Sequence, residues 1–442
     1  MDADLAAATM TAWVHYPIRW PSVPPRPLPL PDLAHDPCEI MTITEHRVVI
    51  AGGGVAGVEA LLALHALAPD RVDLTLVSPT PDFVYRPLAV AEPFALGHQR
   101  RTPLAEAART AGARFVRAPL TGVDVAERTV RLGDGETLPY DSLLLATGAA
   151  AEPAFTGGGV FTWDDTSGVE SLGGLLRDLE EGYSNRLAIV VPPGPGWPLP
   201  AYELALLIAG DARGMGMKPD IVIVTPEQAP LAIFGSRAVE VVGEELRRAG
   251  IRLELGAYAE LDPGPTRSLV LRPPGRRMEV GRVLALPRLR GRAVDGIPSD
   301  PDGFVTVDGH GRVVGVDGVW AAGDGIAFPV KFGGLAAEQA DAAAADIAAE
   351  AGAVVERKPF RPVLRGRLLT ARGPRYLRYD AAGGAGEGEA STHTLWWPPG
   401  KVAGRWLAPW LAARDDEAVA GNLPHAGGLA VQTDLHRDVV LR

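Results

Sequence analysis

The segment that most constrains the fold is residues 48–59, VVIAGGGVAGVE, where an apolar run passes through closely spaced glycines into a second apolar stretch. This pattern is typical of a buried strand that turns tightly into a helix. Gly52 would allow the tight turn, Gly54 would let the backbone approach a pyrophosphate, and Gly57 would let helix and strand pack closely. The sequence therefore predicts dinucleotide binding by Gly52, Gly53, Gly54, Val55, Ala56 and Gly57.

The position that usually contacts the adenosine ribose departs from this fingerprint. Residues 72–77 are predicted to form the second strand, and Ser78 follows where an acidic residue is expected. A serine hydroxyl can still form a hydrogen bond with a ribose, so Ser78 is kept as a candidate cofactor-binding residue.

Two later segments also end in turns that suit a cofactor. Residues 140–148 are predicted to form a buried parallel strand that ends in Ala146, Thr147 and Gly148. Residues 318–325 repeat this arrangement, with Gly323 and Asp324 in the turn, and an alanine-rich helix is predicted over about residues 335–351. Small residues at both turns would let the backbone approach a bound cofactor.

With these three segments in this order, the chain resembles the pyridine nucleotide-disulfide oxidoreductase superfamily over about residues 46–351. The resemblance implies two Rossmann-like domains, the second inserted in the first, and bound FAD. It assigns the FAD pyrophosphate to the first glycine turn, the closing turn to residues 146–148, and the ribityl chain to Asp324. The following helix would direct its N-terminus at the flavin pyrimidine edge. An ordinary turn aspartate is the alternative for Asp324.

Two segments are similar to sulfide:quinone oxidoreductases and type II NADH dehydrogenases within that superfamily. They are residues 83–88, which include Arg86, and residues 329–335, which include Lys331 and Gly334. By this analogy the second segment lies against the isoalloxazine ring. The Lys331 ammonium would lie near N1 and the C2 carbonyl of the flavin and would raise the flavin redox potential. The alternative is a solvated loop lysine.

Cysteine content separates the chain from the thiol-using members of the superfamily. Cys38 is its single cysteine, so an intramolecular redox disulfide is excluded, and no histidine spacing indicates a metal site. A formal net charge of -11 argues against a nucleic-acid partner. The absence of a signal sequence and of a long apolar run predicts a cytoplasmic protein.

The second domain is predicted to have lost its usual nucleotide loop. Residues 187–191, 202–209 and 221–226 repeat the strand, helix and strand of the first unit, but the loop at 192–200 contains five prolines and Trp197. Prolines lack the N–H groups that bind a pyrophosphate, and Trp197 is bulky. Two acids leave NADH binding open: Glu203 lies on the helix where the similar type II NADH dehydrogenases place a glutamate near the nicotinamide, and Glu227 lies just past the strand where an acid could bind an adenosine ribose. The structural alternatives are that Glu203 only starts or caps the helix and that Glu227 is an ordinary acid in a turn.

Both ends of the chain differ from this core. Residues 1–44 are proline-rich and predicted to be disordered, and Met41 is a possible translation start. The C-terminal region, residues 351–442, includes four tryptophans near Lys401 and Arg405. Packing in a core or a homodimer interface is favoured for them, and docking on a membrane surface is the alternative.

The sequence thus predicts an α/β protein with an FAD domain at residues 45–155 and 284–350 and a degenerate NAD(P)-binding-like domain at 156–283. The expected function is electron transfer through FAD from an unidentified donor to a quinone or other small acceptor. A type II NADH dehydrogenase and a non-enzymatic flavoprotein that acts through a protein partner are the alternatives. Glu203 and Lys331 are the candidate catalytic residues.

Overall fold

A computed structural model describes residues 45–157, 159–163, 168–262, 268–273, 275–381 and 386–414. The first elements are β1 (His46–Ala51), α1 (Val55–Leu67), β2 (Val72–Val77), β3 (Asp82–Tyr85), a 3-10 helix (Arg86–Phe94), β4 (Arg100–Pro103), α2 (Leu104–Thr110), β5 (Arg114–Val116), β6 (Leu120–Asp124), β7 (Thr129–Leu132), β8 (Thr137–Pro139) and β9 (Ser142–Leu145). The next elements are β10 (Ala149–Glu152), β11 (Val160–Thr162), α3 (Gly168–Glu180), β12 (Arg186–Val190), α4 (Leu199–Gly214), β13 (Asp220–Val224), a 3-10 helix (Ala232–Phe234), α5 (Ser236–Ala249), β14 (Arg252–Glu254), β15 (Tyr258–Leu261), β16 (Ser268–Arg272), β17 (Arg276–Glu279), β18 (Arg282–Ala285) and β19 (Arg288–Gly291). The last described elements are β20 (Val319–Ala321), α6 (Gly333–Glu350), β21 (Val363–Leu368), β22 (Arg375–Asp380), β23 (Glu389–Ser391) and α7 (Leu407–Ala412).

The first sheet is parallel, in the order β20-β9-β1-β2-β5. Ile50 lies opposite Leu76 on one side and Leu144 on the other, and all three side chains are buried. Helices α1 and α6 cover one face of this sheet, and the antiparallel sheet β6-β7-β8 covers the other. Burial on both faces explains why its strands are nearly continuous apolar runs.

The second sheet repeats this design, in the parallel order β11-β18-β12-β13-β14. Helices α3, α4 and α5 cover one face, and the antiparallel sheet β15-β16-β17 covers the other. All five strands come between β9 and β20 in the chain. The predicted fold class, α/β with two Rossmann-like domains, is confirmed, and the domain boundaries stay a prediction.

The described part of the C-terminal region contacts both cores. Strands β21-β22-β23 form an antiparallel sheet whose buried leucines join the core of α4 and α5, while α7 joins the core of α1 and α6. Trp410 is buried and Trp396 packs edge-on against Tyr376, whereas Trp397 is 68% exposed. Core packing therefore accounts for some of these tryptophans but not for Trp397.

Predictions for the chain ends fall outside the described residues. The proline-rich segment 1–44, with Cys38 and Met41, lies there, as do residues 415–442. Within the described ranges, no helix combines the length and the apolar character that crossing a membrane requires.

Candidate functional site

The turn after β1 is closed by contacts that only glycine permits. Gly52 has φ +133°, and a methyl group there would overlap the carbonyl oxygen of Ala146. A methyl group at Gly57 would overlap the carbonyl oxygen of Gly52, so α1 lies directly against the turn. Gly54, in contrast, faces open space. The turn is tightly packed on its protein side and open at Gly54.

Helices α1 and α6 both begin without a side-chain cap. Gly54 precedes α1 and Phe332 precedes α6, and neither helix has an acidic residue in its first turn. The first N–H groups of a helix have no partner within the helix, and they carry its positive dipole end. These two helix starts are therefore suited to anionic or electron-rich groups of a ligand.

Ser78 and Arg86 differ in their relation to this turn. Ser78 is buried, and its Oγ lies 2.9 Å from the position that a Cβ on Gly53 would take. Arg86 is exposed at the start of the first 3-10 helix. The structure thus places Ser78 at the glycine turn.

The two later turns meet the first one. A Cβ on Gly323 would lie 3.1 Å from the Cβ of Ala56, and the N–H of Gly323 donates a 2.9 Å hydrogen bond to Oε1 of Gln339. Gly148 has φ +68° and faces open space, and its carbonyl oxygen lies 3.2 Å from the position that a Cβ on Gly325 would take. The turns at residues 52–57, 146–148 and 323–325 therefore form one continuous surface.

Lys331 is a buried residue at this surface. Its Nζ donates to the carbonyl oxygens of Asp324, at 3.1 Å, and Ile326, and it lies 4.1 Å from the ring centroid of Phe304. Burial lowers the pKa of Lys331 to about 8, although Asp324 and Asp300 oppose the change. Lys331 is therefore not a solvated loop lysine.

The start of α6 is also tightly packed. A Cβ on Gly334 would lie 2.5 Å from Cε2 of Phe332, so a larger residue there would displace the Phe332 ring. Gly334 is therefore packed against the ring of Phe332, which follows Lys331 in the chain.

The proline loop of the second domain is attached to this same segment. The N–H of Gly196 donates to the carbonyl of Pro329, and the N–H of Lys331 donates to the carbonyl of Gly196, both at 3.1 Å. The ring of Trp197 stacks on that of Phe332, with centroids 4.1 Å apart and planes inclined by 14°. The loop is therefore fixed against the residues that precede α6.

Glu203 is buried and fully engaged by the chain. Its carboxylate lies 2.6 and 2.7 Å from Nζ of Lys401 and accepts a 2.9 Å hydrogen bond from the N–H of Leu369. Burial raises the pKa of Glu203, and the Lys401 ammonium opposes this. Since α4 begins at Leu199, Glu203 is not a helix cap.

Glu227 is likewise bound within the second domain. It accepts hydrogen bonds from the hydroxyl groups of Tyr202, at 2.7 Å, and Thr225, at 3.0 Å. Burial raises the pKa of Glu227. A ribose would have to share this carboxylate with two protein donors.

Comparison with known proteins identifies the family. Residues 46–347 match the pyridine nucleotide-disulphide oxidoreductase family model. The chain belongs to this family. It is therefore an oxidoreductase, and FAD is the cofactor that the family implies.

Individual relatives of this oxidoreductase have different activities in their names. An NADH dehydrogenase-like protein of Mycobacterium tuberculosis is 30% identical over 297 residues, which cover 63% of this chain and 72% of the relative. A sulfide-quinone reductase of Aquifex aeolicus is 29% identical over 193 residues, covering 41% and 43%. The solved structure of the Aquifex aeolicus sulfide:quinone oxidoreductase superposes with a TM-score of 0.68 at 18% identity, covering 85% of this chain and 92% of that one. That structural likeness shows the fold.

The oxidoreductase site fits FAD in two respects. Gly54 and Gly148 leave open space at the joined turns, and two uncapped helix starts adjoin that space. Among the described residues, no group of three or more histidine, cysteine or acidic side chains is arranged to bind a metal.

Sequence reasoning did not identify several residues of this site. Lys401 pairs with Glu203 from 198 positions away, and the N–H of Leu369 donates a hydrogen bond to the same carboxylate. The side chain of Gln339 accepts a hydrogen bond from the N–H of Gly323. Lys401 drew attention only as a neighbour of tryptophans. No local pattern marks such contacts, because packing of distant elements creates them.

Proposed function

We propose that this oxidoreductase passes electrons through FAD from a donor other than a nicotinamide nucleotide to a quinone or another small acceptor. The observation that carries this proposal is the position of the proline loop, which is hydrogen-bonded to residues 329–331 and stacked on Phe332 through Trp197.

FAD binding is assigned to the joined turns. The open side of Gly54 and the start of α1 would hold the pyrophosphate, and Ser78 would face the adenosine ribose. Residues 146–148 and 323–324 would border the rest of the cofactor, with the flavin pyrimidine edge at the start of α6. FAD, when bound, supplies the redox chemistry, and the protein supplies position and electrostatics.

Lys331 is assigned an electrostatic role at that pyrimidine edge. Two backbone carbonyls and the Phe304 ring hold its ammonium in place, and its burial limits screening by water. A fixed positive charge would stabilise negative charge on reduced flavin and so raise the flavin potential.

The nicotinamide site is the part of the fold that this chain has altered. In a working dinucleotide turn, free N–H groups and small residues surround the pyrophosphate. Here Pro198 and Pro200 stand at the start of α4, where they contribute no N–H, and the N–H of Gly196 is already bonded to Pro329. A nucleotide would have to displace the Trp197 ring from its stack.

A type II NADH dehydrogenase is the second candidate function. It is supported by the similarity to the NADH dehydrogenase-like protein and by Glu227, just after β13, where an acid favours a free ribose over a 2′-phosphate. This function requires the loop at 192–198 to move. A membrane quinone as acceptor, for either function, would bring the protein to a membrane surface.

Anaerobic titration of the purified protein with NADH and then NADPH, followed by flavin absorbance, tests the proposal. We expect no rapid bleaching by either nucleotide and full bleaching by dithionite. The Trp197→Ala variant, compared with the Trp397→Ala control at an exposed tryptophan, shows whether the stacked ring is what excludes the nucleotide. Rapid reduction of the wild-type flavin by NADH would establish the dehydrogenase instead. Protein that binds no flavin would overturn both functions.

A further inference from the structure

A segment outside both Rossmann-like units lies at the start of α6. Residues 400–407, which we call the C-terminal strap, run from Gly400 to the first residue of α7. The N–H of Val402 donates a 3.0 Å hydrogen bond to the hydroxyl of the buried Tyr85. A Cβ on Gly333, the first residue of α6, would lie 2.7 Å from Cγ2 of Val402. The strap therefore lies directly against the helix start assigned to the flavin.

One end of the strap is bound to the second domain. Lys401 and Glu203 form a two-pronged ion pair, with 6% and 1% of their side chains exposed. Removing one partner of such a pair leaves an uncompensated charge in a poorly hydrated place. The pair therefore constrains both the position of the strap and its local charge.

The other end is bound to the first domain. The buried carboxylate of Glu59, on α1, accepts hydrogen bonds from the N–H groups of Trp406, at 2.8 Å, and Leu407, at 2.7 Å. Gly404 passes so close to Glu59 that a Cβ there would overlap its Oε2. Two buried carboxylates, one from each domain, thus hold the strap across the start of α6.

We propose that the C-terminal strap is a wall of the flavin site and that Lys401, held by Glu203, is its positioning residue. This inference rests on the proposed placement of FAD. In the intact pair the two charges balance, so the pair adds little net charge beside the flavin. Breaking the pair from one side or the other should change the flavin potential in opposite directions, because a negative or a positive charge is then left in place.

The test compares Lys401→Met, Glu203→Gln and the double variant, with Lys358→Met as the control at an exposed ion pair with Glu356. The flavin potential is measured from pH 6 to pH 9. Without Lys401, burial should keep Glu203 protonated at low pH, against the N–H of Leu369 and the charge of Arg367, which favour the carboxylate. The potential of Lys401→Met should therefore equal that of the double variant at low pH and fall below it as Glu203 ionises.

Glu203→Gln provides a second comparison if Lys401→Met does not fold. It leaves the Lys401 ammonium unpaired, so its potential should exceed that of the double variant. Lys401→Arg should restore the wild-type pH profile. Equal potentials of the single and double variants at every pH, with FAD bound, would overturn the proposal. Wild-type protein without flavin would instead overturn the proposed function.

Discussion

Gly54 and Gly57 lie three positions apart in the same turn but meet different surroundings. A methyl group at Gly57 would overlap a backbone carbonyl, whereas one at Gly54 would meet open space. Position 57 therefore serves the packing of α1 on β1, and position 54 serves the ligand in our proposal. Substitution by alanine separates these roles.

We predict that Gly57→Ala destabilises the fold by about 1–3 kcal/mol, the usual cost of an overpacked core, and loses FAD as a consequence. Gly54→Ala should keep the melting temperature of the apoprotein and still bind FAD more weakly, because its methyl group would face the phosphates. Thermal unfolding of the apoproteins and FAD titration distinguish the two. Equal loss of apoprotein stability in both variants would contradict the assignment.

Lys331 gives a pH-dependent prediction. Burial lowers its pKa to about 8, so the ammonium is present below that pH and is lost above it. We expect the flavin potential of the wild type to exceed that of Lys331→Met at pH 6.5 and to converge with it by pH 9.5. Redox titration at several pH values measures this, with Lys358→Met as the control. A constant difference across the range would show that the charge is not responsible.

The same shift has a consequence for folding. Because the folded pKa of Lys331 lies below its ordinary value of 10.5, the unfolded chain binds more protons between about pH 8 and 10.5. The contribution of Lys331 to stability should therefore rise across that window.

Helices α1 and α6 meet through a pair of acids. Glu59 is buried on α1, and Asp341 on α6 has its Oδ1 buried without a hydrogen-bond partner among the described residues. Burial, with the nearby Glu59 carboxyl, raises the pKa of Asp341 to about 8, while Arg405 opposes this. Burial also raises the pKa of Glu59, against the N–H groups of Trp406 and Leu407.

We predict that Asp341→Asn becomes more stable relative to the wild type as pH rises from 5 to 8. In this window the unfolded wild type has lost the Asp341 proton and the folded protein keeps it, so wild-type stability falls with pH, by at most about 1.4 kcal/mol per pH unit. Denaturant unfolding at pH 5, 6.5 and 8 measures the trend. Asp317→Asn, at an exposed position, is the control. A difference in stability that does not vary with pH would show that Asp341 does not keep its proton in the folded protein across this window.

The elements that sequence reasoning found are those with a local signal. The apolar runs of β1, β9, β12 and β13 reflect burial on both faces of a parallel sheet, and glycines mark the turns beside them. The acid pair on α1 and α6 had no such signal, because Glu59 and Asp341 each lie within an unremarkable helical sequence. The two carboxyl groups come together only because α1 packs against α6, and the sequence does not show that packing.

The C-terminal sheet was missed for a similar reason. Strand β21 alternates between buried and half-buried residues, VLRGRL, and its two arginines and its glycine obscure the strand pattern. The role of the C-terminal region is visible only in the complete fold. Strands β21–β23 pack on the second domain, whereas the strap and α7 contact the first domain. The described part of the C-terminal region thus connects the two cores, and Trp397 is a mostly exposed tryptophan within it.

Glu245 is the polar anchor of that sheet on α5. Its carboxylate lies 2.8 Å from the guanidinium of Arg375 on β22 and 3.2 Å from that of Arg372, and the side chains of Glu245 and Arg375 are almost fully buried. On the same helix, Glu240 forms a 2.8 Å pair with Arg237, and both of these side chains are exposed. Glu245 also lies 3.7 Å from Arg248, so the two sites differ in burial and in the number of arginines around the carboxylate.

We predict that Glu245→Gln costs about 3 kcal/mol, because it leaves the Arg375 guanidinium buried without its counter-charge. Glu240→Gln should cost less than about 0.5 kcal/mol, since an exposed pair contributes little. Hydrogen exchange should show the loss first in β21 and β22, with β1 and β2 of the first sheet retaining their protection, because Glu245 joins the C-terminal sheet to the second domain, whereas the contacts of Glu338 on α6 with Val363 and Arg365 of β21 are left intact. Equal effects of the two substitutions, or loss of protection that begins in the first sheet, would show that Glu245 is not what attaches the C-terminal sheet.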